Sequence, residues 1–350
     1  MKATSEYNGL FSIEKDNFSS FDIDEQLNNS TLQYVSVKAS LSEKHWSLIN
    51  ELIGSHKNQL TLSLSFDNER MFACRPTWDN LEFLIGLSNL KQLAIFDPYI
   101  ANIENVFECL NLEKFSLRAV NKEVTISIKG ISKLNKLKSL TLQTSVVDFE
   151  EVNKLVQLEE FESWKQKKDF NISGLTNLTF LYLNSSKSQK SDEFLLHFPK
   201  LKTLHIYGDF LSNFKFIKEL KQLNELTISK NKAIQDIEFI KELQQLEILE
   251  FCQVSQISIL PDLSNLMLKF LKLSQMKRLN DISNIVLLKS LEEIEIDGIP
   301  EVEYSLWIKL LDELPNLKKF RAEFDNIEDW KSLVKETHKR GIDTYAVNNY

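Results

Sequence analysis

The sequence predicts an α/β solenoid, a fold in which one short strand and one helical segment repeat along the chain. Three observations support this prediction. A leucine frame of the form LxxLxL recurs eleven times at spacings of 20 to 26 residues, apolar residues alternate with other residues inside the frame, and only 8 glycines and 6 prolines interrupt 350 residues. Helical repeats have a longer period than this. The frames begin at Leu90, Leu112, Leu137, Leu158, Leu178, Leu201, Leu223, Leu246, Leu268, Leu291 and Leu317.

Alternation within each frame predicts which side chains enter the core. Neighbouring side chains of a strand point to opposite faces, so Leu204 and Ile206 are expected inside, whereas Thr203, His205 and Tyr207 are expected outside. One repeat cannot bury its apolar face alone, and stacked neighbours must therefore share a continuous core. A helical spacing predicts a second buried stripe behind the strands. It consists of Phe216, Ile217, Leu220, Phe239, Ile240 and Leu243.

An array of this kind needs a cap at each end. We assign residues 1–80 to an N-terminal cap with degenerate repeats, residues 81–324 to the repeats and residues 325–350 to a C-terminal helix and strand, all in one continuous domain. Ser40 and Glu43 predict the start of the N-terminal cap helix, and Asp325 and Glu328 predict a capping box at the C-terminal one. Further strands are expected near residues 33–37, 60–64 and 342–347.

The most regular repeat begins at Leu223, and the segment FIKELKQL (216–223) is nearly duplicated as FIKELQQL (239–246). These motifs resemble the leucine-rich-repeat family, in particular its short-unit branch, which includes bacterial internalins and phosphatase regulatory subunits. The resemblance covers about two thirds of the chain and implies a right-handed solenoid, or horseshoe, with a parallel concave sheet and αβ caps at both ends. One departure concerns the asparagine that follows the strand in the family, which survives only as Asn231.

Composition limits the classes of partner. The formal net charge of −8 argues against nucleic acid and against an anionic membrane, and it favours a basic protein. No apolar run is long enough for a signal peptide core or a membrane span. Three cysteines, Cys74, Cys109 and Cys252, are too few and too dispersed for a disulfide framework, which is typical of a reducing compartment. We therefore expect a soluble cytoplasmic protein that is a monomer on its own.

No arrangement of residues predicts catalysis, so we expect no catalytic residue, no cofactor and no metal site. The five histidines are dispersed, and glycine-rich phosphate loops and the GxSxG motif are absent. A nucleophile could be built from Cys252 and His205, two repeats apart, but a small residue on a strand face is the simpler interpretation. Residues 1–80 are the one region left for other chemistry, and they contain His45, His56 and Cys74.

The outward positions of the central repeats predict a binding surface on the concave face. Trp164, Tyr182 and Tyr207 are expected to form a row flanked by carboxylates, which suits recognition of a basic protein. Cross-strand packing of the aromatic rings is the alternative interpretation. The predicted partner-binding residues are Glu160, Glu162, Trp164, Phe180, Tyr182, His205, Tyr207, Glu225, Ile248, Glu250 and Phe270.

Three functional hypotheses follow from these patterns. The first is a non-enzymatic scaffold that binds a protein partner on its concave face, with an immunity or antitoxin protein that occludes a basic toxin as its specific form. The second is a regulatory or targeting subunit of an enzyme such as a phosphatase, which the family resemblance suggests. The third is an effector enzyme that uses the repeats only for targeting, with its chemistry in residues 1–80.

Overall fold

Two compact units make up the chain, Met1–Leu178 and Thr179–Tyr350. The computed structural model describes residues 4–7, 9–66, 76–119, 125–164, 171–184, 191–209, 211, 213–300, 302–323 and 326–344, with side chains from residue 9 onward. Each unit contains stacked short strands, and each is described by itself.

The first unit contains ten strands and two α-helices among the described residues. The strands are β1 (Thr4–Tyr7), β2 (Leu10–Ile13), β3 (Tyr34–Val37), β4 (Thr61–Ser65), β5 (Gln92–Phe96), β6 (Lys114–Leu117), β7 (Ile126–Ser127), β8 (Ser139–Leu142), β9 (Val146–Val147) and β10 (Glu160–Trp164). The helices are α1 (Ser20–Leu27) and α2 (Glu43–Ser55). Strand β1 pairs antiparallel with β2, every later pair is parallel, and β7 and β9 form a separate small sheet.

The second unit contains eight strands among the described residues, all paired in parallel. They are β11 (Phe180–Asn184), β12 (Thr203–Tyr207), β13 (Glu225–Ser229), β14 (Ile248–Cys252), β15 (Phe270–Ser274), β16 (Glu293–Asp297), β17 (Lys319–Ala322) and β18 (Asp343–Thr344). Helices α3 (Tyr304–Glu313) and α4 (Ile327–Lys339) follow β16 and β17. Within the described part of the chain, no helix combines the length and the apolar character needed to cross a bilayer.

The predicted strand phase is confirmed. Leu204 and Ile206 are buried at 0% and 1% exposure, whereas Thr203, His205 and Tyr207 remain partly exposed. The same alternation holds in β10, β11, β13, β14 and β16. Parallel register places inward residues on neighbouring strands side by side, as in the pairs Leu204 with Leu226 and Ile206 with Ile228. The buried ladder is therefore continuous within the unit.

In strands β2 to β5 the middle outward position is buried as well as the inward positions, which the alternation rule did not predict. The outward positions Ser12, Ser36, Ser63 and Ala94 are all buried, in register from one strand to the next. Their side chains are too short to rise above their neighbours, and the Ser36 and Ser65 hydroxyl oxygens lie 3.1 Å apart. The middle outward positions of these four strands are therefore closed to a partner.

Short 3-10 segments cover the core behind the strands. In the second unit they are Glu193–His197, Ile217–Glu219, Glu238–Glu242 and Ser283–Leu287. The predicted apolar stripe is buried at Ile217, Leu220, Ile240 and Leu243. Phe216 and Phe239 depart from the prediction because they are only half-buried. Phe239 instead stacks on Phe214, with ring centroids 6.0 Å apart.

The caps differ from the sequence prediction in detail. Helix α2 begins one residue after Ser42 rather than at Ser40, and it runs past the expected stop at Gly54 to Ser55. The N-cap of α4 is Asn326, whose side chain accepts a hydrogen bond from the Glu328 amide. The predicted cap residue, Asp325, lies outside the described residues, as do positions 345–347 of the expected last strand. Residues 9–30, which carried no clear pattern, include β2 and α1.

Left-handed residues follow the strands of the second unit and turn the chain away from the sheet. Gly208, Lys230, Gln253 and Gln275 have φ between 52° and 80°. Each donates its backbone N–H, at 2.8 Å, to the carbonyl of the last residue of the next strand. Asn231 follows Lys230, and its side chain is buried. Its amide nitrogen donates to the Gly208 and Leu211 carbonyls. Its amide oxygen accepts from the backbone amides of Ala233 and Ile234. Hydrogen bonds between neighbouring turns thus extend the sheet at its carboxyl edge.

Replacing Leu204 with alanine is expected to lower the free energy of unfolding by about 2 to 5 kcal/mol, because a fully buried side chain leaves a cavity. The neighbouring His205→Ala change is expected to cost about 1 kcal/mol or less, because it removes a partly exposed ring and one hydrogen bond to Glu225. Urea denaturation followed by circular dichroism measures both values. Equal losses at the two positions would contradict the observed alternation.

Candidate functional site

All eleven predicted partner-binding residues lie on the outward positions of strands. Glu160, Glu162 and Trp164 belong to β10 of the first unit, and the other eight belong to β11–β15 of the second. None of the eleven is buried. We call the outward side of strands β11–β17 the outer sheet face; it corresponds to the predicted concave face in the second unit. The outward exposure that the alternation predicted is therefore observed, and the role of these side chains in partner binding stays a prediction.

The aromatic centre of the outer sheet face differs from the predicted row. Parallel register pairs Tyr182 with His205, whereas Tyr207 pairs with Asn184 and so belongs to the next row of side chains. The rings of Phe180 and Tyr182 approach the His205 ring edge-on, with centroids 5.5 Å and 6.2 Å apart. Cross-strand aromatic packing is thus present, and the cluster still leaves all three rings partly exposed.

Trp164 lies in the first unit and is held by its own strand. Its indole Nε1 donates to Oε1 of Glu162 at 2.7 Å, and the Gln143 amide donates to the same oxygen at 2.8 Å. Glu162 is therefore already engaged, and it orients the tryptophan ring. Glu160, two positions earlier on β10, is exposed.

Three carboxylates of the outer sheet face are bound by basic side chains of the chain itself. Glu225 accepts from Nε2 of His205 at 2.8 Å, and Glu293 lies 3.1 Å from the Lys319 ammonium. Glu295 is bridged by Lys272 at 2.7 Å and by Arg321 at 2.8 Å. Burial raises the pKa of Glu295, but these two cations outweigh that effect and hold it below its usual range. The charges of Glu293 and Glu295 are thus compensated by lysine and arginine side chains of the same face.

Lys319 and Arg321 were missed as functional residues by the sequence analysis. They occupy the outward positions of the last frame, directly opposite Glu293 and Glu295 in the register. Opposite charges at facing positions of adjacent strands are a recognisable pairing signal. A comparison of equivalent outward positions in neighbouring frames would have shown these two pairs of opposite charges.

Glu250 and Asp297 have no ion pair with a described residue, but Asp297 accepts hydrogen bonds from the Ser274 hydroxyl and the Gln275 amide. Glu250 is half-buried on β14, in register with Thr227 on one side and Lys272 on the other. It forms no ion pair with any described residue, since the Lys272 ammonium is bound to Glu295. Burial raises the pKa of Glu250, and the charges of Lys272 and His205 offset that effect only in part. The outer sheet face therefore holds one carboxylate whose charge is poorly compensated.

The residues considered for catalysis have structural partners. Nε2 of His205 is bound to Glu225 and is therefore not paired with Cys252. In the first unit, Nδ1 of His45 is bound to Asp16, and Nε2 of His56 donates to the Asn29 carbonyl at 3.0 Å. Among the described residues, no group of three His, Cys, Asp or Glu side chains is placed to hold a metal ion. Cys74 lies outside the described residues.

Comparison with known proteins identifies the fold. No protein-family model matches the sequence, and no curated protein is similar to it in sequence. Among solved structures, the chain is similar to the internalin InlF of Listeria monocytogenes, with a TM-score of 0.51 and 16% identity over 98% of this chain and 87% of that one. A leucine-rich-repeat protein of Leptospira interrogans matches with a TM-score of 0.49 and 16% identity, over 95% and 99% of the two chains.

Replacing Glu250 with glutamine is expected to raise the free energy of unfolding near pH 7.5, because it removes a buried charge without a direct partner. A carboxyl whose pKa is raised on folding holds its proton more tightly in the folded state. Its contribution to stability is therefore greatest at low pH and is lost as the pH rises through the unfolded-state pKa and then the folded-state pKa. Urea denaturation between pH 3.5 and pH 8 measures this profile, which the variant should lack.

Glu295→Gln is the matched control, and its effect should have the opposite sign. The pKa of Glu295 is lowered on folding, so its contribution is present above the unfolded-state pKa and is lost as the pH falls through the folded-state pKa. We expect a loss of about 1 kcal/mol near pH 7.5, because Lys272 and Arg321 are left without their acceptor. Destabilisation of similar size in both variants would refute the distinction between the two carboxylates.

Cys109 and Cys252 are expected to differ in reactivity. The Cys109 thiol is buried and its Sγ donates to the Leu84 carbonyl at 3.6 Å, and burial with the nearby Glu108 raises its pKa to about 11. At pH 8 the thiolate is then on the order of a hundredfold scarcer than in an ordinary cysteine. Ellman's reagent on the native protein should modify the partly exposed Cys252, and peptide mass spectrometry should find Cys109 modified only after unfolding. Equal native rates would show that Cys109 is accessible.

Proposed function

From the leucine-rich-repeat fold of this chain, we propose that it is a non-enzymatic scaffold that binds a basic protein on its outer sheet face. The likeness to InlF supports the fold alone, so the argument rests on the side chains of that face. The observation that carries it is Glu250, a half-buried carboxylate with no ion-pair partner among the described residues. A lysine or arginine of a partner would supply the missing cation.

The surroundings of Glu250 suit such a side chain. Ile248 lies two positions earlier on the same strand, and Phe270 faces it from β15, both partly exposed on the same side of the sheet. Apolar groups beside a carboxylate can cover the alkyl stem of a lysine or arginine while the charged head reaches the acid. A partner that excludes water here would strengthen the ion pair, because screening falls with burial.

The aromatic cluster supplies contact area next to this carboxylate. Phe180, Tyr182 and His205 occupy β11 and β12, and the Glu225 partner of His205 lies on β13, next to β14. Large, partly exposed aromatic rings account for much of the binding energy where an interface closes over them. Charged groups around them mainly set the rate and the orientation of encounter. The aromatic cluster and the charged groups near it together resemble the central contact residues and the polar rim of a protein interface.

The net charge of −8 favours one specific form of this proposal, an immunity or antitoxin protein that occludes a basic toxin. A negative field accelerates association with a basic partner. In this form the chain acts as a cytoplasmic monomer, where its free thiols Cys109 and Cys252 remain reduced. The regulatory-subunit alternative requires a partner enzyme that stays active in the complex, so the activity of the bound partner separates the two.

The binding test uses the full chain immobilised as bait for an extract of its native host. A partner identified by mass spectrometry is then titrated against the wild type and against Glu250→Arg combined with Phe270→Ala. We expect the double variant to weaken binding by about thirtyfold or more, as for truncation of hot-spot residues. The affinity of the wild type should fall with added salt.

The control combines Glu193→Arg with Leu196→Ala on the 3-10 segment Glu193–His197, behind the sheet. Both residues are exposed, so the control changes the same charge and removes a comparable apolar side chain. We expect its affinity to remain within about twofold of the wild type, because surface changes away from an interface have small effects. Equal losses in the two variants, or full binding by the Glu250 variant, would exclude the outer sheet face.

A further inference from the structure

A groove of about 550 Å³ runs along the carboxyl ends of strands β11 to β15 in the second unit. It lies beside the outer sheet face, where the left-handed residues turn the chain away from the sheet. The lining residues are Asn184, Tyr207, Gly208, Asp209, Lys230, Lys232, Gln253, Ser255, Gln275 and Lys277. Ligand sites commonly have volumes of this order.

The groove is basic on an acidic chain. Lys230, Lys232 and Lys277 give it three positive charges against the one negative charge of Asp209, a balance of 3 − 1 = +2, whereas the whole chain carries −8. None of the three lysines forms an ion pair with a described residue. Asp209 is already engaged, since it accepts a hydrogen bond from the Lys232 backbone amide at 2.7 Å. The positive charge of the groove is therefore available to a ligand.

Turn geometry explains why the lysines gather at this edge. Lys230 is itself a left-handed residue with φ of 52°, so its side chain leaves the sheet at the turn and lies over the Tyr207 ring, 5.0 Å from the centroid. A hydrogen bond with Tyr207 raises the pKa of Lys230. The ring holds the ammonium at the mouth of the groove.

The neutral residues of the groove can bond to a peptide backbone. The side chains of Gln253 and Ser255 form no hydrogen bond with another described residue, although both line the groove. An amide and a hydroxyl each offer donors and acceptors. Four intervals between β11 and β15, at about 4.8 Å each, span roughly 19 Å, which matches about six extended residues at about 3.3 Å each.

We propose that this groove binds an acidic peptide segment of a protein partner. Lys230, Lys232 and Lys277 pair with its carboxylates, and Gln253 and Ser255 contact its backbone. Beyond Lys277, the adjoining pocket carries Asp297, Glu303, Glu323 and Asp329. These acids repel a longer acidic segment, so the site takes a segment of about six residues.

The geometry disfavours nucleic acid as the occupant. Single-stranded nucleic acid needs exposed aromatic faces on which bases stack, and the aromatic ring of this groove, Tyr207, has one face covered by Lys230. The negative charge of the rest of the chain opposes a polyanion that extends beyond the groove. A short acidic segment can pair with the lysines of the groove without extending over the negatively charged remainder of the chain.

The test measures binding of a fluorescein-labelled hexaglutamate peptide to the full chain by fluorescence anisotropy at low salt. Replacing Lys230, Lys232 and Lys277 with alanine together should weaken binding by about tenfold or more, because three charge pairs are lost. The control replaces three lysines outside the groove, Lys202, Lys309 and Lys335, with alanine. It therefore removes the same three positive charges. We expect the control to stay within about twofold of the wild type.

One further peptide and two competing ligands complete the test. A hexaglutamine peptide should bind at least tenfold more weakly than hexaglutamate, while inorganic phosphate and a six-nucleotide DNA strand should not compete at equal concentration. Equal losses in both lysine triples, or a DNA strand that displaces the peptide, would overturn the proposal. Thermal unfolding of both triples checks that they fold alike. Glu250 and Phe270 are unchanged throughout, so failure here leaves the proposed function of the outer sheet face untouched.

Discussion

The alternation of side chains along five-residue strands is the constraint on which the rest of this structure depends. Inward residues such as Leu204 and Ile206 are sealed only by the equivalent residues of the next strand, so register and burial are set together. A slip of one residue would place His205 in the core and expose the leucines. Because the inward positions are needed for stacking, chemistry is confined to the outward positions and to the turns at the strand ends.

That constraint made most of the architecture predictable from the sequence, while a purely local analysis misplaced several details. The frame located the strands and the inward residues because leucine spacing reports burial directly. The capping residue of α4 was misassigned because Asp325, Asn326 and Glu328 all suit a helix start, and the choice among them depends on tertiary geometry. Burial of Ser12, Ser36 and Ser63 on the outward side was not predicted. The pattern of polar and apolar residues does not show that a short side chain is covered by longer neighbours on the same face.

The candidate site was predictable in its position but not in its electrostatics. Each frame correctly listed outward residues, yet whether a carboxylate is free depends on its neighbours across the register. Glu225, Glu293 and Glu295 are bound by His205, by Lys319 and by the pair Lys272 and Arg321, so these three carboxylates already have partners within the chain. Glu250 differs from them because the Lys272 ammonium is bound to Glu295, and only the three-dimensional structure shows that pairing. The lysine groove was missed because its residues follow the frame and belong to turns.

The separation of charge between the face and its edge suggests how one surface could select a partner. Ion pairs inside the outer sheet face lower its net field and leave Glu250 as a localised acceptor, while the turns concentrate positive charge a short distance away. A uniformly basic partner would meet attraction at Glu250 and repulsion at Lys230 and Lys232. A partner with one cationic side chain beside an acidic segment would satisfy both. Discrimination of this kind depends on unfavourable contacts with the wrong partner as much as on favourable contacts with the right one.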